Sequence, residues 1–227
     1  MSIIYVNPFQ FAAAPVGPTD PYFSNVSLLL HGDGANGSTT IVDNSPSPKT
    51  VTAYGNAQIS TAQSKFGGAS IAFDGSGDYT SATSGDFAFG TGDFTIESWV
   101  YLQATNDRTI WGYASSNSGG IALFSDSVGQ RRIYVGNSAW IIVAGAFPVS
   151  TWFHAAVARE GSTLRLFQNG TLIGSGFNTT NFTATQFQVG ASLYNSLWGY
   201  IDDLRITKGV ARYTANFTPP TAPFPDF

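Results

Sequence analysis

The sequence predicts an all-β sandwich built as one domain, and three observations carry that expectation. Short alternating or uniformly apolar segments recur between clusters of Gly, Asn, Asp and Ser, the pattern of antiparallel strands and their turns. No stretch between residues 23 and 210 has the i, i+3, i+4 apolar spacing of a long amphipathic helix. The 227 residues suit one large sandwich core better than two small domains.

Residues 1–22 are punctuated by Pro8, Pro15, Pro18 and Pro21. Proline cannot donate to a sheet ladder, so this stretch reads as an extended arm for anchoring or oligomerisation, with Ile3, Ile4, Tyr5, Phe9 and Phe11 as its apolar side chains. It lacks a basic start, and Asn7, Pro8 and Gln10 interrupt its apolar run, so it does not read as a secretory leader. The sandwich is expected over 23–210. Val26–Leu30 opens it, and residues 70–73 run into the turn Asp74-Gly-Ser-Gly77. Phe94–Leu102 alternates: Phe94, Ile96, Ser98, Val100 and Leu102 fall on one face, Thr95, Glu97, Trp99 and Tyr101 on the other. Residues 151–159 and Thr163–Gln168 follow as paired strands. Asn169-Gly170 then marks a hairpin, because both central residues of a type I′ turn need positive φ. Residues 199–206 form the last long strand. Pro219, Pro220, Pro223 and Pro225 close the chain in a Pro-rich tail over 211–227.

Composition excludes several classes. Charged residues are 11% of the chain, against about 25% in ordinary globular domains, so Ser, Thr, Asn, Gln and Gly must cover the surface. Three Lys and seven Arg form no basic run and the net charge is −4, which leaves no footprint for a nucleic-acid backbone. There is no Cys, hence no disulfide, thiolate zinc site or iron–sulfur cluster. No apolar run approaches the ~18 residues of a membrane helix.

Four stretches, in order, resemble the laminin-G-like members of the concanavalin A-like jelly-roll family: Phe73-Asp-Gly-Ser-Gly-Asp-Tyr79, Phe94-Thr-Ile-Glu-Ser-Trp-Val100, residues 152–159 followed by 164–170, and Gly199-Tyr-Ile-Asp-Asp-Leu-Arg-Ile206. Together they span about residues 26 to 208. The resemblance implies an antiparallel jelly-roll β-sandwich. The framing segments, residues 22–34 and 211–220, resemble bacteriophage-encoded members. That implies a virion surface protein, made in a bacterial cytoplasm, serving as a head decoration or a tail or fibre component. Its partners would be other virion proteins, further copies of itself in a homotrimer, and a host-surface glycan. A free carbohydrate-binding adhesin, extracellular or on a bacterial surface, stays open beside it. The resemblance also implies one structural Ca2+, with Asp202 at the closing-strand ligand position and the turns of Asp33 and Gly77 supplying further oxygens.

The same jelly roll hosts glycoside hydrolases, so catalysis has to be weighed. Retaining enzymes need two carboxyl groups about 5–5.5 Å apart, and related hydrolases carry them as E-x-D-x-x-E on one strand. This chain has only Glu97 and Glu160, on different segments, and its Asp residues cluster in turns beside Gly. There, an Asp side chain commonly bonds the local backbone. No G-x-S-x-G elbow occurs, and His31 and His154 read as structural. The expectation is a non-enzymatic protein. For a ligand, Trp99 and Tyr101 share one strand face, and Trp111 and Tyr113 share another. If those strands paired, the four rings would form a glycan platform; the competing expectation is that they are buried. A second candidate is the loop over 192–198, through Tyr194 and Trp198.

Overall fold

The computed structural model describes residues 19–105, 107–113, 119–136, 138–191 and 196–227. Ile3, Ile4, Tyr5, Phe9 and Phe11 therefore lie outside the described residues. Among those described there are two single-turn 3-10 helices, and the rest of the regular structure is strand. The strands are β1 (Val26–Leu30), β2 (Thr52–Tyr54), β3 (Gln58–Ser60), β4 (Ser70–Asp74), β5 (Tyr79–Thr83), β6 (Phe94–Leu102), β7 (Arg108–Tyr113), β8 (Ile121–Ser125), β9 (Arg131–Val135), β10 (Ser138–Val143), β11 (Trp152–Glu160), β12 (Thr163–Gln168), β13 (Thr171–Phe177), β14 (Gln186–Val189) and β15 (Trp198–Lys208).

They form two antiparallel sheets packed face to face. The first runs β13-β12-β11-β6-β15-β4-β3, with β1 also paired to β15; the second runs β10-β9-β8-β7-β14-β5-β2. The long β15 pairs β6 along one edge, and on the other edge β4 then β1, end to end. The alternation of β6 holds: Phe94, Ile96, Val100 and Leu102 point into the shared core, where they meet Trp111, Leu123, Ile133 and Phe187 of the second sheet. The Asn169-Gly170 hairpin also holds, with φ of 48° and 74° and β12 paired to β13.

One irregularity in β15 decides which residues face out. Asp202 pairs Trp99 but Arg205 pairs Glu97, so β15 carries one residue more than β6 over that step. Asp203 takes the left-handed conformation, φ 50°. Such a bulge switches the parity of the strand. Before it, Tyr200 and Asp202 face outward and Ile201 inward. After it, Leu204 and Ile206 join the core while Arg205 turns outward beside Glu97.

The tail over 211–227 is extended but not free. It lies across the outer face of the first sheet. Tyr213 and Phe217 stack with ring centroids 3.5 Å apart and pack on Ala156, Ala158 and Phe167. Phe224 joins Val26 and Leu29. The tail crosses the hairpin at Gly170, whose carbonyl accepts the Phe217 N–H at 2.9 Å and which leaves no room for a side chain: a Cβ there would sit 1.9 Å from the Phe217 carbonyl oxygen. Residues at the end of the expected arm belong to the same assembly. Asp20 is buried, and its N–H donates to the Phe227 carbonyl at 3.1 Å.

Under this cover lies a charged network. Arg205 donates to Glu97 Oε1 from Nε at 3.0 Å and from Nη2 at 2.8 Å, and to Asp20 Oδ2 from Nη1 at 2.9 Å. Arg212 reaches both Asp20 oxygens, at 3.0 and 2.7 Å. The Tyr213 hydroxyl donates to Glu97 Oε2 at 2.7 Å, and His154 Nε2 stands 3.3 Å from that oxygen. The Arg205 guanidinium also sits 3.7 Å from the Phe224 ring centroid. Burial alone would raise the Glu97 carboxyl, yet the charge of Arg205, the His154 ring and Arg212 hold it well below the usual carboxylate range. Burial likewise opposes the ionised form of Asp20, and Arg212 and the Tyr22 N–H outweigh it.

Two outcomes follow. Both carboxyls sit below their unfolded values, so their stabilisation is present above those values and lost as pH falls. The urea midpoint of unfolding is expected to drop as pH is lowered through the ordinary values of 4.5 for Glu97 and 3.8 for Asp20. Glu97→Gln leaves Arg205 buried with one carboxylate fewer and should cost about 3–5 kcal/mol at neutral pH. A Gln variant as stable as the parent would contradict this account of the network.

Candidate functional site

The covers on the first sheet's outer face leave one region open. The tail hides the surface around Ala156, Ala158 and Phe167. Trp99 is hidden by the loop before β4: Lys65 Nζ lies 3.9 Å over its ring, and Phe66 meets it edge-on at 6.0 Å. Beyond these, cross-strand register places Trp152, Tyr101, Tyr200, Ala72 and Gln58 in one row over β11, β6, β15, β4 and β3. The three rings are half-buried, with Tyr101 5.6 Å from Trp152 and 5.8 Å from Tyr200. They meet edge-on, at 63° and 78°, so they form a ridge and not a flat platform.

The row ends in a groove of about 390 Å³ lined by Asn56, Gln58, Asp74, Gln103, Trp198 and Tyr200 among others. That size falls within the range of small-ligand sites. Trp198 is 46% exposed, the most exposed ring among the described residues lining the groove. It opens β15 opposite Asp74, and its carbonyl accepts the Gln103 N–H at 2.8 Å. Its other side rests on the turn at Gly75, where φ is +90° and a Cβ would come within 3.0 Å of the Trp198 Cβ. Arg108 fixes that turn from behind, donating from Nη1 to the carbonyls of Gly75 at 3.2 Å and Ser196 at 2.9 Å.

Two aspartates hold the groove floor in different ways. Asp74 is exposed. Its Oδ2 accepts the Asn56 side-chain amide at 2.8 Å, and its Oδ1 accepts the Ser76 N–H at 2.9 Å. The Asn56 amide, the Asp78 carboxyl and the Ser76 N–H keep the Asp74 carboxyl below its usual range. Asp78 is buried, and its oxygens take the N–H groups of Asp74 and Asn56, each at 2.6 Å. Burial pushes the Asp78 carboxyl up. Asp78 thus closes the turn, and Asp74 is the carboxylate offered to the groove. An exposed indole beside amides and one carboxylate can stack on a ring and bond hydroxyls.

The expected platform requires correction. Trp99 and Tyr101 do not meet Trp111 and Tyr113, because β6 and β7 are consecutive in the chain but lie in opposite sheets. Trp111 and Tyr113 are core residues, and the Tyr113 hydroxyl donates to the Phe87 carbonyl at 2.6 Å. Trp99 is buried on the outer face. Of those four, Tyr101 alone borders the open region. Tyr194 lies outside the described residues, and Trp198 stands exposed. Trp152, Tyr200, Asn56, Gln58, Asp74 and Gln103 were not anticipated. Trp152 shares strand parity with His154, and Tyr200 with Asp202, so both could be placed outward. The missing knowledge was that β11, β6 and β15 are neighbours.

Two of the three expected calcium ligands, Asp202 and Asp33, contact the same loop at residues 65–67. Asp202 Oδ2 accepts the N–H groups of Lys65 at 2.6 Å and Phe66 at 3.0 Å. The Asp33 carboxylate presses on the next residue, since a Cβ on Gly67 would fall 2.0 Å from Asp33 Oδ1. Burial pushes the Asp202 carboxyl up to about 7, and the charges of Asp203 and Asp33 add to this against the Phe66 and Lys65 N–H bonds. Asp33 is also raised, first by burial. Asp203 is spent elsewhere, on His31 Nδ1 at 2.6 Å and the Phe224 N–H at 2.7 Å. Gly77 does not belong to this cluster: it lies in the β4–β5 turn, with its carbonyl facing Gly55. Among the described residues Asp202 makes no ion pair, and no three acidic or imidazole groups converge on one metal position. Asp202 and Asp33 therefore fit a hard cation only if carbonyl oxygens complete the shell.

Comparison with known proteins agrees with this architecture. Domain 4 of AbnA, a GH43 extracellular arabinanase from Geobacillus stearothermophilus solved with arabinotriose, superposes with TM-score 0.63 at 18% identity, over 82% of this chain and 94% of that one. Botulinum neurotoxin type C, described as dependent on two ganglioside molecules to get into cells, gives 0.61 at 16%, over 83% and 49%. Trypanosoma rangeli sialidase in complex with sialic acid gives 0.58 at 15%, over 91% and 33%. This chain thus spans about half of the toxin chain and a third of the sialidase chain. At these identities the likeness is one of fold. No curated protein sequence matches the chain. Residues 74–212, more than half of the chain, match the laminin-G-type family described as the concanavalin A-like lectin/glucanases superfamily. Family match, sheet order and jelly-roll architecture coincide, and the chain belongs to the concanavalin A-like lectin/glucanases superfamily.

Proposed function

We propose that this chain is a non-enzymatic, glycan-binding surface protein, carried on a bacteriophage virion as a head decoration or a tail or fibre component. Trp198 carries the binding part of this reading. It is a large ring left 46% exposed at the rim of a groove of amides, in a family of lectin-like sandwiches. Two similar folds, the arabinanase domain and the toxin, are described with saccharides, which supports the same ligand class here. The virion part rests on the resemblance of residues 22–34 and 211–220 to phage-encoded proteins. The apolar arm would anchor the sandwich to the particle or to its own copies in a trimer.

Hydrolysis is disfavoured by chemistry. Most glycosidases use two carboxyls that flank the scissile bond. Among the described residues Asp74 is the one carboxylate lining the groove, and both oxygens of its neighbour Asp78 are bonded to backbone N–H groups. A Ca2+ at Asp202 and Asp33 would serve structure, relieving the repulsion between carboxylates beside the loop at residues 65–67.

Three measurements check these points. In calorimetric titration with a bound oligosaccharide, Trp198→Ala should weaken affinity at least about tenfold, ~1.4 kcal/mol. Its unfolding free energy should stay within about 0.5 kcal/mol of the parent, as for other surface changes. Unchanged affinity would remove Trp198 from the site. Immunogold labelling of native particles should decorate head or tail regularly, and a chain starting at residue 19, which keeps Asp20, should fold yet fail to join particles. Absence of label would favour the free adhesin.

The third measurement concerns calcium. Asp202 has a folded pKa raised above its usual 3.8 to about 7. Its stabilising effect is therefore complete below 3.8 and lost as pH rises through 7. In chelator at pH 8, Asp202→Asn should be more stable than the parent, since the amide oxygen keeps the two N–H bonds. Calcium at a hundred times its dissociation constant should stabilise the parent by ~2.7 kcal/mol and leave the Asn variant unmoved. A parent indifferent to calcium would refute the ion.

A further inference from the structure

We propose that the groove at Trp198 selects neutral glycans and turns away anionic ones such as sialylated, sulfated or uronic-acid sugars. This deepens the glycan-binding reading and rests on it. The argument is one of charge. Among the described residues lining the groove, Asp74 is the single charged one, and no Lys or Arg is among them. Asp74 is exposed and held ionised at neutral pH by the Asn56 amide and its neighbours. Arg108 is the cation behind the turn, and its Nη1 is already donated to the Gly75 and Ser196 carbonyls.

An anionic sugar is held most strongly where an N–H fork or an ammonium replaces its lost water. Here it would instead meet a carboxylate of like sign at close range, where repulsion is least screened. A neutral sugar meets complementary groups. The Asp74 carboxylate can accept from a hydroxyl, the amides of Asn56, Gln58 and Gln103 can donate and accept, and the apolar face of a pyranose can rest on the exposed ring of Trp198. The Asn56–Asp74 pair sets a donor and an acceptor side by side, 2.8 Å apart, as a vicinal diol requires.

The test uses a printed array of matched glycans, each neutral oligosaccharide beside its sialylated and sulfated forms, probed with the full chain. Binding confined to neutral members, with the anionic partner at least about tenfold weaker, is the expected result. Asp74→Asn keeps the acceptor for the Ser76 N–H and should narrow that gap to about threefold or less. The parent alone provides a second readout: in about 1 M salt, where screening acts within ~3 Å, the gap should shrink as well. Sialylated or sulfated members bound as strongly as their neutral partners would overturn the charge selection while leaving glycan binding intact. A gap that neither Asp74→Asn nor salt alters would overturn the role of Asp74. An array blank for the full chain would overturn the glycan reading itself.

Discussion

The guanidinium of Arg205 is the junction on which the rest of the arrangement depends. It binds Glu97 on the neighbouring strand, Asp20 from before the first strand and the ring of Phe224 from the tail. Four separate stretches of chain are thereby tied at one buried point. Charges buried this deeply are tolerated only when each is paired and hydrogen-bonded. Glu97 cannot lie on the outer face of a central strand without Arg205, and Arg205 cannot point there without the bulge at Asp203. Asp203 in turn uses its carboxylate to hold His31 and the backbone of Phe224. One extra residue in β15 therefore sets the parity, the ion pairs and the docking of the tail together.

This junction also shapes the surface. In a two-layer sandwich the outer face of each sheet ordinarily meets water. Here the tail adds a partial third layer, and the loop at Lys65 and Phe66 adds a patch over Trp99. The open remainder is a strip of half-buried rings ending in a polar groove. The site is what the covers leave uncovered, and its position follows from where the tail stops.

The legible parts of the sequence were the local ones. The alternation of residues 94–102 gave strand and facing at once, because a period of two is a property of neighbouring residues. Asn169-Gly170 announced its hairpin because few residues tolerate two successive positive φ angles. What stayed hidden was non-local. Trp99 and Trp111 carry the same pattern, yet one strand ends in each sheet, and no spacing records that crossing. Trp152 and Tyr200 are separated from Tyr101 by 51 and 99 positions in the numbering, and become its neighbours only through strand order. The bulge was masked by the pair Asp202-Asp203, which reads equally well as regular strand. Gly77 failed as a ligand for the reverse reason: its turn was recognised, but the turn's place relative to β15 was not.

The bond from Asp20 to Phe227 has a topological consequence. The described chain nearly closes into a ring, so a short peptide splice between its two ends would add little strain, and the ring could be opened at an exposed turn such as that at Gly161 without changing either sheet. The same closure brings the two ends together, so any segment attached before Asp20 and any attached after Phe227 would join the sandwich at one spot.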